Sequence, residues 1–120
     1  MFNDKNMLNL SPKHFKNGKV NHADFKGKSG MVIVVADWCH FCQMVKEPWT
    51  QFRKLAGKHF TVAAINENTG ISKKLNVSGY PTIFSVDSSG IHTEYTGSRD
   101  LELLVDAMCS VAKQHPVCKK

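Results

Sequence analysis

Two of the four cysteines, Cys39 and Cys42, stand three positions apart with His40 and Phe41 between them. A C-x-x-C of this kind does thiol redox chemistry or supplies half of a metal site. Zinc wants four ligands. Cys109, Cys118 or His40 would have to be drawn in, because no second C-x-x-C exists in the 120 residues. We therefore expect no metal and no bound cofactor, and we expect the pair to exchange electrons with protein disulfides. One thiolate would attack a target disulfide, and the other would then release the mixed disulfide. Cys39, at the open end of the pair, is expected to be the accessible nucleophile, and Cys42, one turn further in, the shielded resolving thiol.

That chemistry needs elements that hold the pair. Met31–Ala36 is a continuous, largely β-branched run, which reads as a strand covered on both faces. After the pair, Phe41, Val45, Trp49, Phe52 and Ala56 recur at helical spacing. Gly57 is the expected stop, and Pro48 predicts a kink. The cysteines thus fall at a helix N-terminus, where unpaired N–H groups and the helix dipole favour a thiolate. His40 has two readings. Its imidazolium could stabilise the Cys39 thiolate and raise the reduction potential, or it could point to solvent and tune only local polarity.

Elsewhere, Leu8–Leu10 predicts a short strand, Ser11-Pro12 the start of a short helix, and Asn17-Gly18 a turn. Residues 18–30 read mainly as loop. Residues 60–65 predict a second buried strand, and Thr69-Gly70 a short helix with Ile71 and Leu75 on one side. Residues 82–86 and 91–95 form a hairpin about Asp87-Ser88-Ser89-Gly90. A last helix would be capped by Ser98, bury Leu101, Leu104, Val105, Met108 and Ala112, and end at His115-Pro116. This order predicts an α/β domain with a mixed central sheet and helices on both faces. One domain is expected over 1–120, with its core at about 8–113 and a basic tail at 114–120.

These residues resemble the thioredoxin family. The resemblance is carried by Ala36-Asp37-Trp38-Cys39-x-x-Cys42, by Val77-Ser78-Gly79-Tyr80-Pro81-Thr82 about 40 residues on, and by Gly97 after the hairpin. It implies the thioredoxin fold, a Trp38 packed beside the cysteines, a cis Pro81, and a substrate groove at Gly79, Tyr80, Pro81 and Thr82. Four departures stand out. The intervening dipeptide, His40-Phe41, matches neither reducing thioredoxins nor disulfide isomerases. The acid that the family often buries six residues before the first cysteine is Ile33 here, and its usual lysine partner is Ala64. The helix proline also falls one position late. Asp37 or water would have to serve as proton acceptor for Cys42.

The other features are less telling. Cys109 could be an inert buried thiol, and Cys118 an exposed one, or the two could pair. His14, His22, His59, His92 and His115 show no ligand spacing and are expected at the surface. The composition, 42% hydrophobic and 22% charged, is that of a globular domain. The net charge is +6, with six lysines among the first 30 residues. A positive surface can steer acidic partners, but no basic run is interleaved with aromatics, so no nucleic-acid partner is expected. No run is long enough to span a bilayer and no secretory leader is visible, so a cytoplasmic monomer with no membrane partner is expected, served by an upstream reductase or oxidase. The rival reading is a non-catalytic thioredoxin-fold binding module with a structural Cys39–Cys42 disulfide.

Overall fold

A computed structural model describes residues 7–16, 18–67 and 75–118. Five strands form the main sheet: β1 (Leu8–Asn9), β4 (Gly30–Val35), β5 (Thr61–Asn66), β6 (Thr82–Val86) and β7 (His92–Tyr95), in the order β1-β5-β4-β6-β7. β4 pairs in parallel with β5 and antiparallel with β6. The sheet is therefore mixed, as expected. All six residues of β4 are buried, which is why its sequence shows no alternation.

Two α-helices are described, α1 (His40–Ala56) and α2 (Leu101–Val111). Cys42, Val45, Trp49, Phe52 and Ala56 are the buried stripe of α1. They join Ile33, Val35 and Ala64 of the sheet and Leu104 and Met108 of α2 in one core. Truncating Phe52 to alanine there should cost about 3–5 kcal/mol. Pro48 sits inside α1, which runs on to Ala56 without a break, and Gly57 closes it at φ +60°. Proline removes only its own bond to the Met44 carbonyl, and the buried stripe on either side holds both halves against the sheet.

The opposite face of the sheet carries a second core, built from Leu10, Phe15, Val20, Phe25, Val34, Ile65, Leu75 and Phe84. Residues 18–30 are mainly loop and turn, as expected, but they also carry short elements that the sequence did not show. β2 (Phe15–Lys16) and β3 (Lys19–Val20) form a small antiparallel pair, and Ala23–Phe25 is a 3-10 turn. They are ordered by burial of Phe15, Val20 and Phe25, not by local propensity. Their anchor is Gly90 (φ +87°), where a Cβ would press on the Val20 carbonyl at 2.6 Å. The turn at Asn17 and the helix expected from Thr69-Gly70 fall on, or largely on, positions outside the described residues. Among the described residues, both α-helices pack on one face.

The C-terminal end departs from expectation in three ways. Asp100, not Ser98, is the N-cap of α2, and Ser98 instead accepts the Asp100 N–H through its Oγ at 3.1 Å. The helix stops at Val111, with Ala112 as its C-cap. The described part of the tail folds back. His115 is buried, donating from Nε2 to the Ala56 carbonyl at 2.7 Å and accepting the Val117 N–H at Nδ1. Cys109 and Cys118 are joined in a disulfide, so neither is the free thiol that one reading allowed.

Candidate functional site

β4 delivers the chain to Ala36, and Asp37-Trp38 turns it so that the Cys39 N–H bonds the Ala36 carbonyl at 3.1 Å. Cys39 has extended backbone angles and is the N-cap of α1. Its Sγ takes the place of the usual serine or aspartate oxygen and accepts the Cys42 N–H at 3.1 Å. Both cysteines are free thiols. Cys39 is only 5% exposed and Cys42 is fully buried. Cys39 is thus less open than the sequence suggested, because capping turns its sulfur back over the first helical turn. The order of accessibility is kept.

Burial is the main cause that pushes the Cys42 thiol from an ordinary 9.0 up to about 12. The hydrogen bond with Cys39 adds to the rise. A backbone hydrogen bond involving Ala36 and the charge of Arg99 pull the other way. Arg99 was not legible as a site residue. The only clue was its place two positions after Gly97, in the loop leading to the last helix. Ile33 lies fully buried directly across from Ala64 in the β4–β5 register, so the interior beneath the pair is apolar where the family often keeps charge. Asp37 is exposed at the surface.

The second sequence element meets the first. The Tyr80–Pro81 peptide bond is cis. Tyr80 lies edge-on to Trp38, ring centroids 5.3 Å apart, and donates its hydroxyl to Glu67 at 2.5 Å. Trp38 is 75% exposed, so it flanks the cysteines as a projecting wall rather than as packed core. Gly79 and Thr82 are joined by a 2.6 Å bond from Thr82 Oγ1 to the Gly79 carbonyl. Glu67, which fixes Tyr80, carries no sequence signal of its own. His40 is exposed, its ring edge-on to that of Phe41.

Beside the pair, Phe41, Met44, Val45 and Pro48 line an open cleft of about 270 Å³ with Arg99 and Asp100 at its edge. That is below the range of small-molecule pockets and suits a side chain or two. Among the described residues, no group of three His, Cys, Asp or Glu side chains is placed to hold a metal. No described helix is long and apolar enough to cross a membrane.

A mixed sheet with a C-x-x-C capping the helix after its central strand, faced by a cis-proline loop, defines a thioredoxin-fold domain. The family model for thioredoxin matches residues 6–110, and the chain belongs to that family. It is similar to the protein disulfide isomerase-like 2-3 of Oryza sativa subsp. japonica, 26% identical over 111 residues. The match covers 89% of this chain and 24% of that protein, so the chain spans about a quarter of the relative's length. The J-Trx1 fragment of ERdj5 superposes with a TM-score of 0.74 at 23% identity, over 91% of this chain and 53% of that one. The zinc-bound form of human ERp44 gives 0.71 at 20%, over 87% and 30%. The first two thioredoxin domains of Naumovozyma dairenensis Eps1p give 0.72 at 18%, over 96% and 45%. These likenesses show the fold.

Proposed function

We propose that this domain is a thiol–disulfide oxidoreductase acting on proteins through Cys39 and Cys42. The observation that carries the reading is the 3.1 Å hydrogen bond from the Cys42 N–H to Cys39 Sγ. An N–H aimed at sulfur favours negative charge there, and the thiolate is the attacking species. Cys39 Sγ attacks one sulfur of a client disulfide, and the other client sulfur leaves as a thiolate. Cys42, once deprotonated, attacks Cys39 Sγ and expels the second client sulfur. The domain ends oxidised and the client reduced; the reverse sequence oxidises a client dithiol. Trp38, Tyr80 and the Gly79–Thr82 loop form the wall along which a client segment lies. The Cys109–Cys118 bond supports a working environment oxidising enough to keep it closed, and we propose such a compartment in place of the reducing cytoplasm.

A second reading is a binding module whose cysteine pair does no turnover. The near-complete cover of Cys39 favours it. Equilibration in glutathione buffers with thiol trapping separates the two, with Cys39→Ser as control. A reversible two-electron titration supports the oxidoreductase. A potential near about −270 mV assigns a reductase, and one above about −200 mV an oxidase or isomerase. A pair that does not titrate leaves the module.

A further inference from the structure

Six lysines that look scattered in sequence, Lys16, Lys19, Lys26, Lys28, Lys54 and Lys58, lie toward the end of the molecule farthest from the cysteines. β4 starts there at Gly30, just after Lys26 and Lys28, and α1 ends there beside Lys54 and Lys58. β6 runs antiparallel to β4 with Val86 opposite Gly30, so the turn to Ile91 lies at the same end. A bridge from Lys19 to Ile91 brings the β2–β3 pair alongside. In that pair Lys16 faces Lys19 directly, an arrangement that costs stability when both are charged. Lys28, Lys58 and Arg53 line one cleft of about 200 Å³ with Asp24. Asp87, another carboxylate at this end among the described residues, is engaged in its own turn, accepting the Ser89 and Ile91 N–H groups.

Aliphatic side chains project from the same end. Leu55, Ile91 and Val111 are exposed, and Ile91 and Val111 share a cleft with Ser29 and Asp87. We propose that this basic pole docks on an anionic lipid surface, with the lysines facing the headgroups and the aliphatic tips entering the interface. Charge complementarity is the attraction, each lysine near such a surface adding to it. Three facts favour lipid over other polyanions. The cations are nearly all lysines, point charges that suit a diffuse negative field, whereas bidentate phosphate and base recognition uses arginine. Protein interfaces are depleted in lysine and anchored by aromatics, and among the described residues the exposed large apolar groups at this end are aliphatic. Among the described residues, this end also presents no exposed Phe, Tyr or Trp as a platform for nucleic-acid bases. α1 has 17 residues, so docking would hold Cys39 about 25 Å above the surface and open to solution.

The inference does not rest on the redox reading and is tested without turnover. The intact chain is sedimented with vesicles of phosphatidylcholine, alone or with about 30 mol % phosphatidylserine. Binding is expected only to the anionic vesicles, and to weaken by roughly tenfold or more as salt rises from about 0.05 M to about 0.5 M. K16E/K19E and K54E/K58E, on separate elements, should each lower affinity by about tenfold, with circular dichroism confirming the fold. I91S/V111S should lower the residual binding at high salt. No binding to anionic vesicles at low salt, equal binding to both vesicles, or charge-reversed proteins that bind like the parent would each overturn the proposal. So would polyglutamate that strips the protein from the vesicles at equal charge concentration, which would point to an acidic protein partner.

Discussion

Ile33 and Ala64 face each other across β4 and β5, both without solvent exposure, in the interior beneath the cysteine pair. This apolar pairing stabilises the sheet but gives Cys42 no proton acceptor. Ile33→Asp should therefore speed release of the mixed disulfide and destabilise the fold, the latter by several kcal/mol for a buried carboxylate without a partner. Adding Ala64→Lys should recover part of that loss. Single-turnover resolution and urea denaturation measure the two effects. Unchanged resolution would show that deprotonation of Cys42 does not limit the step.

The raised Cys42 thiol has a thermodynamic consequence. With its native pKa near 12 against an ordinary 9.0, the unfolded chain releases this proton first as pH rises. The unfolded state then binds fewer protons, so stability falls from about pH 9 to about pH 12. Denaturation of the reduced protein across that window should show the fall, and Cys42→Ala should remove it. Arg99 acts in the opposite sense, and Arg99→Gln should slow resolution a few-fold at neutral pH with little change in attack by Cys39.

His40 occupies the first position of α1, where proline is well tolerated. If its imidazolium supports the Cys39 thiolate, His40→Pro should lower the reduction potential, by about 30 mV for each 1.4 kcal/mol of lost stabilisation. An unchanged or higher potential in glutathione buffers would assign the ring to solvent alone.

The Cys109–Cys118 bond closes a short loop around the buried His115. Replacing both cysteines by serine should cost roughly 3 kcal/mol by loop entropy and lower the melting temperature. Amide exchange should quicken at Val117, whose N–H bonds the His115 ring. A melting temperature equal to the parent's would mean that the histidine anchor alone holds the tail.

Acid should loosen the other core. Burial first, then the charges of His22 and Lys13, hold the His14 imidazole below its ordinary 6.5, and its Nδ1 accepts the Ser11 N–H at 3.0 Å. The unfolded chain takes up the proton more readily. Stability is therefore full above 6.5 and is lost as pH falls below it toward the native value. His14→Gln should flatten the dependence of the urea midpoint between about pH 7 and about pH 5.

How much of this was legible follows from how local each signal is. The β4 run, the stripe from Val45 to Ala56 and the hairpin about Asp87–Gly90 are periodic or turn patterns within a few residues, and they were readable. The placement of Cys39 at a helix start followed from the same patterns. The β2–β3 pair was not readable, because Phe15, Val20 and Phe25 are separated by Lys-Asn-Gly-Lys and Asn-His-Ala-Asp and gain their order from Gly90 and Ile91, about seventy residues away. His115 looked like a surface residue because its partner, the Ala56 carbonyl, lies 59 positions back. Cys109–Cys118 pairing stayed open because spacing alone does not decide connectivity. Arg99 and Glu67 bear on the site through a field and through a single hydroxyl, and neither leaves a pattern.

The contrast between the two tryptophans makes the molecule its own optical probe. Trp38 projects into water one residue before Cys39, while Trp49 is wholly enclosed. The first should emit at longer wavelength and respond to closing of the neighbouring disulfide; the second should report only on global unfolding. In a Trp49→Phe background, emission alone would follow thiol exchange in real time, with no label attached.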